Sequence, residues 1–384
     1  MRSFTRRNIL ESAATLAVGS FANTNVLAQS PSERNALIIG QSAVLTGPSA
    51  QLGIEMRDGI YAAFSEKNIA GGINGRLLKL KTLDDGYEPN RTKTNTQELV
   101  DDKQLVALIG YVGTPTSLAA LPIITASGTP FLGAFSGAMT LRDPVHPFVF
   151  NIRASYEQEA TILLRHLVVA TGKNERIAIV FQDDAYGIAV KAAVEKAANK
   201  LGVKPVAYIP IKRNTPDISS TADAIVAAQA TSVVVGSVYG ATGNLVVAVR
   251  AKQFYPQFAS VSFVGTSGLL DAFGKQVGGV AIAQVVPYPF GGSILLMREF
   301  TMAMLGSGAL KRAYGSMEGY IAGRVMCEAI ARCGSSVTRA KLRDQIENLN
   351  VDIGGFRVAF SPSSHQGSTF SEMTVVREDG SLRI

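Results

Sequence analysis

The sequence predicts an α/β protein with two parallel-sheet lobes. Short apolar runs of strand length alternate with helix-length segments, and this alternation occurs twice over. Glycine turns stand where strands hand over to helices, as at Gly110 and Gly113. The chain beyond residue 28 is about 355 residues long, more than one hydrophobic core comfortably serves. Apolar residues make up 47% of the sequence and the aromatic residues are spread along it, so a full core is available to each lobe.

The first 28 residues read as an export leader. Arg2, Arg6 and Arg7 form a basic start, Ala13 to Ala22 is a modest apolar run, and Val26-Leu27-Ala28 is a small-residue cleavage site. Thr5-Arg6-Arg7-Asn8-Ile9-Leu10 resembles a twin-arginine signal, so both the Sec and the twin-arginine routes stand open. No later stretch reaches the roughly 18 apolar residues of a membrane helix. A soluble, exported protein is expected. Loss of Arg2, Arg6, Arg7 and Glu11 with the leader takes the formal charge from +7 to +5. The remaining Lys and Arg are scattered, which argues against nucleic acid.

The strands and helices follow in order. Ala36–Gly40 is the first strand, Val44–Pro48 its loop, and about Ala50–Asn68 a helix stopped at Gly71-Gly72. Leu77–Leu83 alternates apolar residues with Lys79 and Lys81. Asp84-Asp85-Gly86-Tyr87 turns into a helix opened by Pro89. Leu105–Ile109 is a strand buried on both faces, breaking at Gly110 and Gly113 into a helix with Thr114 as expected N-cap and Pro115 as its first residue. Backbone N–H groups at such a handover favour an anion. Gly133-Ala134-Phe135-Ser136-Gly137 lies one unit later and is expected to converge on the same crevice. Phe148–Arg153 reads as a strand, followed by the first crossing between lobes.

The second set has strands at Arg176–Phe181, Val206–Ile211, Ser232–Gly236, Val261–Val264 and Val280–Val286. Its helices fall at Tyr156–Ala170, Tyr186–Leu201, Asp217–Ala228, Thr242–Gln253 and Leu269–Lys275. A late helical block (Ser293–Leu305, Ser316–Cys333, Thr338–Asn348) is expected to return to the first lobe. Phe356–Phe360 and Met373–Val376 close the chain as strands. Cys327 and Cys333, six residues apart on one helix, point in different directions and read as two buried thiols.

Catalytic patterns are missing. There is no Gly-x-Ser-x-Gly, His-Glu-x-x-His, Walker loop or Gly-x-Gly-x-x-Gly, and His146, His166 and His365 have no metal-ligand spacing. Asp84-Asp85 and Asp183-Asp184 end strands, where carboxylates commonly cap a turn or helix. No enzyme, cofactor or metal site is expected. Three second-lobe loops, Asp184-Ala185-Tyr186-Gly187, Ser237-Val238-Tyr239-Gly240 and Gly265-Thr266-Ser267-Gly268, offer flat rings and small hydroxyls suited to gripping a small organic molecule.

Leu45-Thr46-Gly47-Pro48, Gly71-Gly72-Ile73-Asn74-Gly75-Arg76, Asp84-Asp85-Gly86-Tyr87-Glu88-Pro89, Ile109-Gly110 through Ser117, and Gln182-Asp183-Asp184-Ala185-Tyr186-Gly187 carry a family likeness. Together they resemble the leucine/branched-chain amino acid binding proteins, over essentially the whole chain from Asn35. The resemblance implies a type I periplasmic solute-binding protein of an ABC importer: two doubly wound parallel-sheet lobes joined by a three-strand hinge and closing around ligand. It implies a first lobe of residues 29–154 and 286–368, a second lobe of 155–285, and a return of 369–384 to the second lobe. Its partners would be a small-molecule ligand and a membrane ABC permease, with the protein a monomer in the periplasm. A periplasmic ligand sensor feeding a signalling receptor is the alternative.

The resemblance places ligand-binding positions at Gly113, Thr114 and Thr116 for a carboxylate, at Ser136 and Gly137 in the next loop, and at Leu52 where the family has a shielding ring. In the second lobe it places them at Tyr186, Tyr239 and Ser267. The family's acidic partner for an amino group falls at or near Ser267, and the next carboxylate in that stretch is Asp271. An ammonium buried without a counter-charge is costly. The expected ligand is therefore a small carboxylate without an amino group, aromatic acids among them, or a neutral amide. The family's disulfide positions are occupied here by Tyr87 and Gly113.

Overall fold

A computed structural model describes residues 35–171, 175–215, 218–309 and 311–384. The leader, 1–28, lies outside the described residues. Strand β1 (Leu37–Ala43) pairs in parallel with β2 (Leu78–Asp84) on one side and β3 (Leu105–Ile109) on the other. Beyond β3 come the short strands β4 (Phe131–Leu132) and β5 (Val149–Phe150), giving an all-parallel sheet in the order β2-β1-β3-β4-β5. Helices α1 (Ala50–Ile69), α2 (Pro89–Asp101) and α3 (Thr114–Ser127) connect its strands. All five residues of β3 are buried, as a continuous apolar run in a covered parallel sheet requires. The edge strand β2 carries Lys79 and Lys81, which discourage pairing with another chain.

Helix α4 (Tyr156–Thr171) leads into a second sheet. Its parallel strands are β6 (Ile177–Gln182), β7 (Ala207–Ile211), β8 (Ser232–Gly236), β9 (Gln257–Ser260) and β10 (Ala281–Gln284). Helices α5 (Ala185–Lys200), α6 (Ser219–Ala227), α7 (Tyr239–Ala251) and α8 (Thr266–Phe273) link them. Pro210 sits in β7, an edge strand, where its missing N–H costs the ladder least. The chain then forms α9 (Leu295–Gly306), α10 (Tyr314–Arg332) and α11 (Arg339–Glu347), and an antiparallel ribbon of β11 (Asn350–Asp352) and β12 (Arg357–Ala359). It closes with β13 (Glu372–Val376), antiparallel to β10, and β14 (Leu382–Arg383), which complete the order β14-β13-β10-β9-β8-β6-β7.

Helices α1 and α10 cross with their backbones almost touching. A Cβ on Gly59 would run into the Ser316 carbonyl, one on Gly319 into that of Met56, and one on Gly323 would lie 2.6 Å from Ala63 Cβ. Cys327 and Cys333 are free, buried thiols.

The structure corrects several expectations. Val261–Val264 is not a strand: β9 ends at Ser260, and Ser262–Val264 is a tight 3-10 turn stopped by Gly265, whose φ is +80°. Only Val149 and Phe150 of Phe148–Arg153 pair as strand. Phe356–Phe360 contributes β12, which joins the small ribbon instead of a main sheet. The N-cap before α3 is Gly113 at φ +103°, not Thr114. The positive φ there suits glycine, so Thr114 and Pro115 become the first two helical residues and the Thr114 hydroxyl is free to bond elsewhere.

Candidate functional site

The loops at the carboxyl ends of β1 to β4 meet those that follow β6, β8 and β9, the location at which open α/β sheets take ligands. After β2, Asp84 accepts hydrogen bonds from the backbone N–H groups of Leu45 (2.8 Å) and Gly86 (3.0 Å). Asp85 accepts from Tyr87 N (2.9 Å), Ser42 Oγ (2.8 Å) and Thr92 Oγ1 (3.1 Å). Both acids therefore hold a turn, and that turn presents the Tyr87 ring to the opposite lobe. After β6, Asp184 caps α5 by accepting from Tyr186 N (2.9 Å) and Gly187 N (3.3 Å), a fixed entry that places Tyr186.

Five of the sequence-predicted residues fall in one aromatic cluster. Gly113 lies under the Tyr87 ring, where a Cβ would collide with it. The Thr114 and Ser136 hydroxyls are 2.8 Å apart and buried. The Gly137 carbonyl accepts from Tyr156 N at 2.8 Å, and a Cβ on Gly137 would come within 2.5 Å of the Tyr156 ring. Tyr186 packs on Tyr156 with ring centroids 5.7 Å apart and on Phe263 at 4.5 Å. Phe263 in turn reaches across to Phe135 (5.5 Å) and Tyr87 (6.2 Å). Thr116 does not take part through its hydroxyl, which donates to the carbonyls of Gly113 (2.9 Å) and Val112 of its own turn.

Leu52, Tyr239 and Ser267 form a second, adjoining group. A Cβ on Gly265 would lie 2.5 Å from Leu52 Cδ2 and 3.2 Å from Tyr239 Cδ1, so the glycine lets the first-lobe side chain pack against the second-lobe loop. Ser267 Oγ donates to Glu55 Oε1, which also accepts from Gln51 Nε2 at 2.8 Å. Asp271, the acid nearest Ser267 in sequence, is turned to the surface and paired with Lys311.

Buried charges complete the seam. Arg153 donates through Nε to Glu318 Oε1 (2.8 Å) and through Nη2 to Oε2 (2.7 Å), and its guanidinium lies 4.3 Å from the centre of the Phe135 ring. Glu159 accepts from Ser262 N (2.6 Å); burial pushes its carboxyl up to about 7 despite the nearby Arg153. Two further contacts join the lobes. Arg213 Nη2 donates to Glu88 Oε2 at 2.9 Å and Gln182 Nε2 to Tyr87 Oη at 3.4 Å. Among the described residues a cavity of about 10 Å³ is bordered by Glu55, Arg153, Glu318 and Gln284, and the direct contacts between the lobes make the arrangement a closed one.

Sequence reasoning missed Glu55, Arg153, Glu159, Glu318 and Phe263. A signal existed for Glu55, which stands three residues after Leu52 and so shares its helix face. The others are joined only by the folded chain.

Two parallel-sheet lobes closing on a seam of rings, hydroxyls and buried charges define the class of periplasmic solute-binding proteins. The chain belongs to the periplasmic binding protein family, whose model matches residues 37–381. It is similar to an amino acid binding protein of Pseudomonas aeruginosa, 26% identical over 269 residues that span 70% of this chain and 69% of that one. Among solved structures it resembles a possible leucine/isoleucine/valine-binding protein from Rhodopirellula baltica, 34% identical with a TM-score of 0.86, over 92% of this chain and 97% of that one. A substrate-binding periplasmic protein from Ralstonia solanacearum is 29% identical with a TM-score of 0.85, over 90% of this chain and 99% of that one. The family is one of binding proteins, not enzymes. Among the described residues no helix is long and apolar enough to cross a membrane.

Proposed function

We propose that the chain is the solute-capturing component of an ABC importer, exported and cleaved after about Ala28, and that it delivers a small organic carboxylate to a membrane permease. In this reading residues 29–154 and 286–368 form the first lobe, and 155–285 with 369–384 the second. The observation that carries it is the meeting of Gly113, Thr114, Ser136, Gly137 and Tyr186 around one buried cluster, with Leu52, Tyr239 and Ser267 beside it. The N-terminal turn of α3 and the two hydroxyls would hold the anionic end, and Tyr186 and Tyr239 would close over the body. Along the sequence no carboxylate stands near Ser267 before Asp271. Glu55 stands against that serine, so acids with and without an amino group both enter the class.

A thermal-shift screen of residues 29–384 tests the reading, using branched-chain amino acids, their keto acids, benzoate- and cinnamate-type acids, and short amides. A true ligand at 100 times its Kd stabilises by about 2.7 kcal/mol and raises Tm visibly. Tyr239→Ala should weaken that ligand about tenfold without unfolding the protein, at some cost in Tm because the ring packs on both hydrophobic clusters. A panel without a single shift overturns the ligand class, and unaltered affinity in the variant removes Tyr239 from the site.

A further inference from the structure

Three buried carboxylates border the closed seam, and two of them are already neutralised or engaged. Glu318 is gripped by both prongs of Arg153, and Glu159 accepts a backbone N–H beside the same guanidinium. Glu55 differs. Its hydrogen-bond donors, Ser267 and Gln51, are both neutral, Arg153 across the cavity is held by Glu318, and Lys311 has its ammonium on Asp271. A carboxylate withdrawn from water without a cation is held at a cost, and burial accordingly raises the proton affinity of Glu55. The chain nonetheless makes room for it: a Cβ on Gly315 would lie 2.6 Å from Glu55 Oε2. The same cavity is bordered by Gln284, whose Nε2 donates to Thr266 (3.0 Å) and Thr374 (2.9 Å) while its buried Oε1 has no hydrogen-bond partner among the described residues. Glu55 and Gln284 Oε1 thus border one small buried cavity, beside the Arg153–Glu318 pair.

Resting on the solute-capture reading, we propose that Glu55, on the first helix of the first lobe, is the anchor for an ammonium group on the ligand, with Gln284 Oε1 as a second acceptor. Ser267, which donates to that carboxylate, yields it when the cation arrives. The counter-charge that the second-lobe loop lacks is supplied from the facing lobe. Binding of the cationic group therefore requires both lobes at once, since Glu55 lies on the helix that follows β1 of the first sheet and Gln284 ends β10 of the second.

Calorimetric titration of residues 29–384 with matched pairs tests this, each L-amino acid (valine, leucine, phenylalanine) against its own α-keto acid. In the wild type the amino acid should bind more tightly than its keto acid. Glu55→Gln should weaken the amino acid about tenfold to hundredfold and leave the keto acid within about threefold, inverting the preference. The charge-retaining Glu55→Asp should keep the amino acid preferred, and the wild-type ratio stands even if Glu55→Gln does not fold. A wild type that takes keto acids as tightly as or more tightly than amino acids overturns the assignment and leaves solute capture intact. Equal losses for both members of a pair in Glu55→Gln also overturn it. A wild type that binds no compound of either kind overturns this proposal and the carboxylate reading together.

Discussion

Arg153 and Glu318 form a two-pronged ion pair with 1% and 3% of their side chains exposed, although 165 residues separate them in the chain. Arg153 precedes α4, which leads into the second sheet, and Glu318 lies on α10, which packs against α1. The pair therefore ties the start of the crossing to α10 at the seam. Its guanidinium stays charged because the carboxylate faces it in a dry setting. Glu318→Ala leaves that charge without a partner and should cost about 3–5 kcal/mol in urea unfolding. Arg153→Met with Glu318→Leu should recover most of the loss. A single-variant cost below about 1 kcal/mol would mean that the site admits water.

Stability should depend on pH through Glu159. Burial raises its carboxyl from 4.5 to about 7, against the attraction of Arg153 and the N–H and hydroxyl of Ser262, and with Glu318 repelling it. The folded state thus binds this proton more tightly than the unfolded chain does. Its contribution is complete below pH 4.5 and is lost as pH rises through about 7, on the order of 3 kcal/mol for a shift of this size. Melting curves from pH 4.5 to 8 should show Tm falling, and Glu159→Gln should flatten that fall. A variant whose profile runs parallel to the wild type would remove Glu159 as its source.

Gly113 combines a backbone at φ +103° with a ring lying over it. Gly113→Ala should cost about 1–3 kcal/mol and displace Tyr87 from the seam, weakening ligand as well. Gly47 provides the comparison, since its φ is +86° with open space around it. Gly47→Ala should show only the backbone strain. Equal losses for the two variants would mean that the Tyr87 ring moves aside freely.

The elements most legible in the sequence were those whose burial is decided locally. Leu105–Ile109 and Ser232–Gly236 are covered on both faces and so read as unbroken apolar runs. Val261–Val264 looks equally apolar, but Gly265 at positive φ folds it into a turn that swings Phe263 between the lobes. Local propensity favours Thr114 as a cap, and the left-handed backbone at Gly113 decides otherwise. In the site, hydroxyls and rings on glycine-rich loops were legible. Buried charges were not: Arg153 finds Glu318, and Glu55 finds Ser267 212 residues away, only through the fold.

The glycine crossing of α1 and α10 has a consequence for synthesis. Gly59 and Met56 contact backbone at Ser316 and Gly319, so the inner face of α1 stays uncovered until more than 250 further residues have been made. During elongation the strip of α1 around Gly59 and Ala63 therefore waits for its partner, whereas Met56 and Ile60 already face Gly110 of the first sheet. The last fifth of the chain thus completes packing begun in the first: α10 closes on α1 only after the parallel strands of both sheets have been made.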